Sequence, residues 1–157
     1  MSIAEVLVVI QDSPVAHAIS KSNHLVAAGL QVVHVLGFIA LLAALVLISL
    51  RLLKVVFTNQ PMSEVTRDAN RFFYLGLVLT VVSGTLMFVA TPRLYYYKFA
   101  FELKMVLFVS AIVLQFALFR RIAAREAPHP VLARTTVGVS LALWFGIGLA
   151  GRMIGFT

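Results

Sequence analysis

Long apolar runs with few charged residues alternate with short charged stretches along this chain of 157 residues. Four of the runs are long enough to cross a bilayer as helices, since a span needs about 20 predominantly apolar residues. They cover about residues 22–50, 72–92, 99–119 and 135–155. Short connections make successive helices antiparallel neighbours. The pattern therefore predicts an all-α integral membrane protein, a four-helix transmembrane bundle that forms a single domain over residues 1–157.

The first 21 residues carry a weaker apolar pattern than the four spans. The apolar stretch 6–10 is too short for the core of a signal peptide, and Glu5 stands where such a peptide needs positive charge. Ser13 and Pro14 are residue types preferred at a helix N-cap and at the first helical position. We therefore expect a short amphipathic segment at the membrane interface, broken at these two residues, ahead of the first span.

The composition agrees with a membrane protein, because 61% of the residues are hydrophobic and only 12% are charged. A soluble domain has about a quarter of its residues charged. The net charge is +7, but Lys and Arg lie at the edges of the apolar runs rather than together on one solvent-exposed surface. This distribution is typical of topology signals and differs from the basic patch of a nucleic-acid binder. The expected partner is therefore the lipid bilayer, with no nucleic acid.

The chain contains no cysteine. Disulfides, cysteine-ligated iron–sulfur clusters and covalently attached haem are thereby excluded.

The loops on the two sides of the predicted bundle carry unequal numbers of basic residues. Short loops rich in Lys and Arg stay in the cytoplasm, so the side with more of them is the cytoplasmic one. We therefore expect a multi-pass protein of the bacterial inner membrane with both termini in the periplasm. The cytoplasmic set is Arg51, Lys54, Arg67, Arg71, Arg120, Arg121, Arg125 and Arg134, and the opposite set is Lys21, Arg93, Lys98, Lys104 and Arg152.

Small residues recur three to five positions apart on three of the four spans, a spacing that lets helix backbones approach closely in lipid. We expect these three faces to form the seam of the bundle. They are Gly37, Ala40 and Ala44 in span one, Gly76, Thr80 and Gly84 in span two, and Gly138, Ala142, Gly146, Gly151 and Gly155 in span four.

Polar residues at membrane depth are the candidate functional residues, because they are rare there and usually face the interior of a bundle. In span one, His24, Gln31 and His34 lie on one side of the helix at about 100° per residue. Lys104 lies near the start of span three and Arg152 near the end of span four. The predicted topology places both in the outer, periplasmic half of the bundle, as it does these residues of span one. We expect all five to line a ligand-binding site there. His34 and His24 are the candidate metal ligands, although about 15 Å of helix separates them.

Three functions fit such a site. The first is a membrane redox component that binds haem b or a quinone and passes electrons to a redox partner protein, since imidazole can ligate iron or bond a quinone carbonyl. A second haem ligand would be a methionine, His17 or a residue of another subunit in a homo-oligomer. The second function is a non-catalytic anchor or assembly subunit, whose polar residues only join helices. The third is copper handling through His24, His34 and methionines. The sequence leaves open whether the protein is an enzyme.

Four short motifs carry a resemblance to a known family. They are V-V-H-V-L-G-F at 32–38, L-R-L-L at 50–53, F-E-L-K-M at 101–105 and A-G-R-M-I-G-F at 150–156. On these motifs the chain resembles an uncharacterised bacterial family of small four-helix inner-membrane proteins, a domain of unknown function. It is also distantly similar to the membrane domain of copper-resistance D proteins and to small b-type cytochrome bundles. The resemblance implies that His34, Gly37, Lys104 and Arg152 occupy motif positions, whereas the family has an aromatic residue where this chain has His24.

Overall fold

The computed structural model describes residues 3–21, 24–125 and 129–156. Residues 22 and 23, with which the predicted first span begins, lie outside the described residues. Within these ranges the chain forms helices and no strand. In chain order they are α1 Ile3–Gln11, α2 Pro14–Ser20, α3 His24–Leu52, α4 Met62–Ala90, α5 Pro92–Tyr96, α6 Phe99–Leu114, a π-helical segment Gln115–Phe119, α7 Arg120–Ala123 and α8 Pro130–Met153.

Four helical segments of the described chain are long and apolar enough to cross a membrane. They are α3, α4, the continuous segment Phe99–Ala123 and α8, which confirms the predicted all-α bundle of four membrane helices. Two of them begin before their apolar runs, α4 at Met62 and α8 at Pro130. The helix of α4 thus extends about 15 Å beyond the run that starts at residue 72.

The N-terminal helices α1 and α2 form a pair bent by 61°. The bend falls at Ser13, whose Oγ accepts a hydrogen bond from the backbone nitrogen of Ala16 at 3.2 Å, and Pro14 is the first residue of α2. This confirms Ser13 as a helix N-cap. The pair packs against α4 and α5, and taken together it is also apolar enough to form a fifth span. Its place at the membrane interface therefore stays a prediction.

Helices α3 and α4 are antiparallel neighbours. Gly37 lies beside Thr80, whereas His34, earlier on α3, lies beside Gly84, later on α4. The segment Phe99–Ala123 and α8 are paired in the same way. We call the end at which α3 begins and α8 ends the terminal end of the bundle. The opposite end, at which α3 ends and α8 begins, is the arginine-rich end.

The backbones of α3 and α4 touch at a pair of glycines. A Cβ atom added to Gly76 would lie 2.5 Å from the carbonyl oxygen of Gly37 and 2.6 Å from the backbone nitrogen of Leu41. The predicted seam of small residues is thus confirmed for spans one and two. It is wrong for the first half of α8, where Gly138 and Ala142 are exposed, because that helix turns a different face inward. Its buried residues there are Thr136, Val137, Ser140, Trp144 and Ile147.

Trp144 joins all four membrane helices at the centre of the core. Its ring lies 5.9 Å from that of Phe73 and 6.2 Å from that of Phe108, both nearly perpendicular to it, and 6.5 Å from that of Phe38. Perpendicular and tilted rings at these distances attract one another beyond the area they bury. This aromatic contact fixes how the two antiparallel helix pairs sit against each other.

Candidate functional site

His34 lies on the face of α3 that contacts α4, where it is half-buried. Its Nδ1 atom is 3.1 Å from Oγ of Ser83. The Ser83 hydroxyl donates its single proton to the carbonyl oxygen of Leu79 at 2.5 Å, so Nδ1–H of His34 donates to Ser83 Oγ. The remaining ring nitrogen, Nε2, then carries the lone pair. Ser83 thereby fixes both the orientation and the tautomer of the imidazole.

Gly84 provides the space that this ring occupies. A Cβ atom at Gly84 would lie 2.9 Å from Cε1 and 3.2 Å from Nδ1 of His34. The imidazole therefore rests directly on the backbone of α4. Any side chain at this position pushes the ring away from Ser83.

Lys104 of α6 reaches the other ring nitrogen. Its Nζ lies 3.4 Å from Nε2 of His34 and donates to it. The lysine side chain runs along α8 at Gly151, where an added Cβ would lie 3.4 Å from Nζ. We call these two residues the His34–Lys104 pair. With Ser83 and Gly151, the pair brings all four membrane helices to one point.

The His34–Lys104 pair lies within the apolar spans, on the side of the terminal end. His34 is ten residues past the start of α3, about 15 Å along its axis, and Lys104 is five residues past the start of α6, about 8 Å. This is the half of the bundle in which the sequence predicts a polar site.

No carboxylate that the structure describes neutralises the charge at the pair. The described residues show an ion pair between Arg67 and Asp68, both exposed, at 3.6 Å, and none at Lys104. No carboxylate of the described chain is therefore paired with Lys104. A half-buried ammonium beside an imidazole, without an acidic partner, suits a ligand that carries hydrogen-bond acceptors or negative charge.

The structure brings together two of the five predicted site residues and leaves the other three apart from them. His24 and Gln31 are exposed on α3. Arg152 is also exposed, and its guanidinium lies 4.8 Å above the ring of Phe156. The described residues contain no group of three or more His, Cys, Asp and Glu side chains that could hold a metal ion. Metal binding by His34 and His24 stays a prediction.

Sequence reasoning missed Ser83, the residue that orients His34. Serine is common in membrane helices, where its hydroxyl bonds a carbonyl of the preceding turn, as Ser83 does with Leu79. The available signal was its position beside Gly84, on the face of small residues that runs through Gly76 and Thr80. A polar residue on such a face meets the neighbouring helix at close range.

The sequence profile of a family of unknown function, DUF6644, matches residues 13–157. The chain belongs to the DUF6644 family. The match includes α2, the four membrane helices and every residue of the His34–Lys104 site. No curated protein and no solved structure matches the chain. Membership in DUF6644 confirms the predicted likeness to an uncharacterised family, and the distant likeness to copper-resistance D proteins and b-type cytochromes stays a prediction.

Proposed function

We propose that this protein is a membrane redox component that binds a quinone at the His34–Lys104 pair and exchanges electrons with a partner protein. In this proposal it is a multi-pass protein of the bacterial inner membrane with both termini in the periplasm. The observation that carries the proposal is the 3.4 Å contact between Lys104 Nζ and His34 Nε2. It lies within apolar spans and has no acidic partner among the described residues.

A quinone headgroup matches the hydrogen-bonding capacity of the pair. Its carbonyl oxygens accept hydrogen bonds, and the ammonium of Lys104 has three donors, of which His34 uses one. A quinone reduced by two electrons also takes up two protons to become a quinol. Imidazole and amine groups can pass such protons, while the electrons come from the partner protein.

An apolar groove beside Ser83 supports a lipid-soluble ligand. It lies between α3 and α4 and has a volume of about 200 Å³. Its wall is aliphatic except for Ser83, so it suits a hydrocarbon tail, and the Ser83 hydroxyl joins the groove to His34. The aliphatic residues are Leu30, Val33, Val78, Leu79, Val82 and Leu86.

The two ring nitrogens of His34 favour a quinone over haem b or copper. A metal-bound histidine donates its other N–H to a fixed acceptor, and Ser83 supplies that acceptor for Nδ1. The nitrogen left for the metal, Nε2, faces the ammonium of Lys104 at 3.4 Å. Iron or copper at Nε2 requires Lys104 to move and places two positive charges side by side. A quinone carbonyl requires neither.

The same contacts favour a second candidate, a non-catalytic anchor or assembly subunit. His34 is hydrogen-bonded to Ser83 of α4 and to Lys104 of α6. In this second function, its sole role is to hold three helices together. Interhelical hydrogen bonds of this kind stabilise membrane proteins by about 0.6 kcal/mol each. In this reading the pair binds no ligand, and replacing either residue affects stability alone.

Quinone binding to the purified protein separates the two candidates. We expect a short-chain ubiquinone analogue to bind the wild type in nanodiscs, as measured by isothermal titration calorimetry. Lys104→Gln removes the ammonium that donates a hydrogen bond to the quinone. His34→Ala removes the imidazole that is hydrogen-bonded to this ammonium. A hydrogen bond to a charged group contributes about 1.5–3 kcal/mol, so affinity is expected to fall at least about tenfold.

Lys21→Gln and His129→Ala are the matched controls, because both residues are exposed. These variants are expected to bind as the wild type does. Equal affinity in all four variants removes the pair from any quinone site and leaves the anchor function. A reducible Soret band in the visible spectrum of the purified protein would instead assign haem b.

A further inference from the structure

A polar cavity lies at the arginine-rich end of the bundle, away from the His34–Lys104 pair. It has a volume of about 150 Å³ and is bounded by α3, α4, the π-helical segment and α7. Its polar lining comes from Thr66 and Asn70 of α4, Gln115 of the π-helical segment and Arg120 of α7. The function proposed above uses none of these residues.

Two side chains that line the cavity have polar atoms without a partner. Gln115 is 2% exposed, and its Oε1 makes no hydrogen bond within the described chain. Oγ1 of Thr66 is likewise buried and unbonded. Buried polar atoms in folded proteins are almost always hydrogen-bonded to protein, water or ligand. The cavity therefore offers an amide oxygen and a hydroxyl that require a partner from outside the protein.

The π-helical segment assembles this wall of the cavity. A π turn widens an α-helix by one extra residue, and such turns are frequent at functional sites. Here it runs from Gln115 to Phe119, both buried, and is followed at once by Arg120 at the rim. The guanidinium of Arg120 lies 5.5 Å from the ring centre of Phe116. Arg120 and Gln115 both line the cavity.

The cavity lies at the level where lipid headgroups meet the bundle. Thr66 and Asn70 precede the apolar run of α4, which begins at residue 72, and Arg120 follows directly on the third run, which ends at residue 119. Arginine binds phosphate oxygens with two parallel hydrogen bonds. A volume of about 150 Å³ accommodates about five waters, or a polyol group of similar size.

We propose that this cavity binds the headgroup of an anionic phospholipid that carries hydroxyl groups. The phosphate lies on Arg120 at the rim, and a headgroup hydroxyl enters the cavity and donates to Oε1 of Gln115, with Thr66 and Asn70 as further partners. Phosphatidylglycerol has this chemistry. Binding there ties one lipid to α3, α4 and the end of the third span.

Native mass spectrometry of the full-length protein tests the proposal. The protein is loaded with an equimolar mixture of phosphatidylglycerol, phosphatidylmethanol and phosphatidylethanolamine, and the lipids retained are counted. Phosphatidylmethanol has the same charge as phosphatidylglycerol but no headgroup hydroxyl. We expect the wild type to retain phosphatidylglycerol at least about fivefold over either of the others.

Each substitution removes a different part of this preference. Gln115→Leu is expected to erase the preference for phosphatidylglycerol over phosphatidylmethanol, and Gln115→Met serves the same purpose if the Leu variant does not fold. Arg120→Gln is expected to lower retention of both anionic lipids about fivefold. Arg121→Gln, an exposed neighbour, is the matched control and is expected to leave retention unchanged.

Two outcomes overturn the proposal. The first is a lipid preference that is the same in Gln115→Leu, Arg120→Gln and wild type, which leaves the cavity filled by water only. The second is displacement of the lipid by micromolar glycerol 1-phosphate. That result keeps the phosphate and polyol chemistry but assigns the site to a soluble compound rather than to a lipid.

Discussion

The absence of a side chain at Gly84 lets the imidazole of His34 reach Ser83. The ring lies against the backbone of α4, and its two nitrogens are bonded to Ser83 and Lys104. A polar group inside a bundle must find such partners, because lipid offers none. The position of the candidate site thus depends on one glycine as much as on the residues that carry its chemistry.

Replacing Gly84 by Ala moves His34 without removing any polar group from the site. The added Cβ lies 2.9 Å from Cε1 of His34, so the ring must shift and its hydrogen bond to Ser83 weakens. We expect the quinone affinity to fall about tenfold, equivalent to about 1.4 kcal/mol. Calorimetric titration in nanodiscs measures the change.

Gly138→Ala is the matched control, because no heavy atom lies within 4 Å of the added Cβ. It is expected to bind quinone as the wild type does. Wild-type affinity in Gly84→Ala would show that the placement of His34 does not matter for the ligand.

The sequence was sufficient to identify His34 and Lys104 as candidates but not to pair them. Both stand out because a polar residue within an apolar span is costly and needs a reason. Gln31 and Arg152 stand out equally, and the structure leaves both exposed. The difference lies in how each helix is rotated, which depends on packing contacts between distant parts of the chain. Ser83 could not be distinguished from the other serines and threonines of the spans for the same reason.

Helices α3 and α4 form the closest helix pair of the bundle because both present glycine at their crossing. The peptide groups at Gly37 and Gly76 approach until no side chain fits between them. This approach also sets the height at which His34 meets Ser83, a turn or two further toward the terminal end. The site therefore depends on the register of this crossing.

Gly76→Ala tests the crossing of α3 and α4. Its Cβ would lie 2.5 Å and 2.6 Å from backbone atoms of α3, which cannot rotate away as a side chain can. Overpacking costs about 1–3 kcal/mol, and we expect the free energy of unfolding to fall by about 3 kcal/mol. Unfolding in mixed micelles by SDS, followed by circular dichroism, measures it.

Gly29→Ala provides the comparison on the same helix pair, since nothing lies within 4 Å of its added Cβ. Its stability is expected to match or slightly exceed that of the wild type, because Ala is the better helix former. Equal stability of the two variants would contradict the close crossing.

Apolar runs correctly predicted the four long membrane helices. A polar backbone exposed to lipid is so costly that a long apolar run has few alternatives to a helix. The runs did not predict the helix ends. The polar sequence between Met62 and residue 72 is helical although it is not apolar. Nor did they predict the π turn at Gln115–Phe119, since one extra residue in a helix leaves hydropathy unchanged.

At the scale of the whole molecule, two polar regions lie at different heights within the part of the chain that the structure describes. The His34–Lys104 pair lies toward the terminal end, and the cavity at Gln115 lies at the arginine-rich end. The aromatic contact around Trp144 lies between them and is apolar except for the indole nitrogen. Ligand binding at one region can therefore be altered without changing the other. Variants at one region serve as controls for the other.

The number of spans decides whether the two termini lie on the same side of the membrane. Four spans place both termini on one side, as the distribution of Lys and Arg predicts. Five spans, if α1 and α2 together form one, place the termini on opposite sides. If the end with more Lys and Arg faces the cytoplasm, as the sequence predicts, the His34–Lys104 pair lies in the periplasmic half and the cavity at Gln115 lies at the cytoplasmic headgroups.

Photoaffinity labelling with an azidoquinone tests most directly whether the His34–Lys104 pair binds a quinone. The protein is labelled in nanodiscs, digested and mapped by mass spectrometry, with excess unlabelled quinone as competitor. We predict that the label attaches to the peptides of α3 and α6 that contain His34 and Lys104, and that excess unlabelled quinone prevents this labelling. We also expect the amount of label on these peptides to fall at least about tenfold in Lys104→Gln. Label confined to other helices, or label at these peptides that neither the competitor nor Lys104→Gln reduces, would contradict the proposed quinone site.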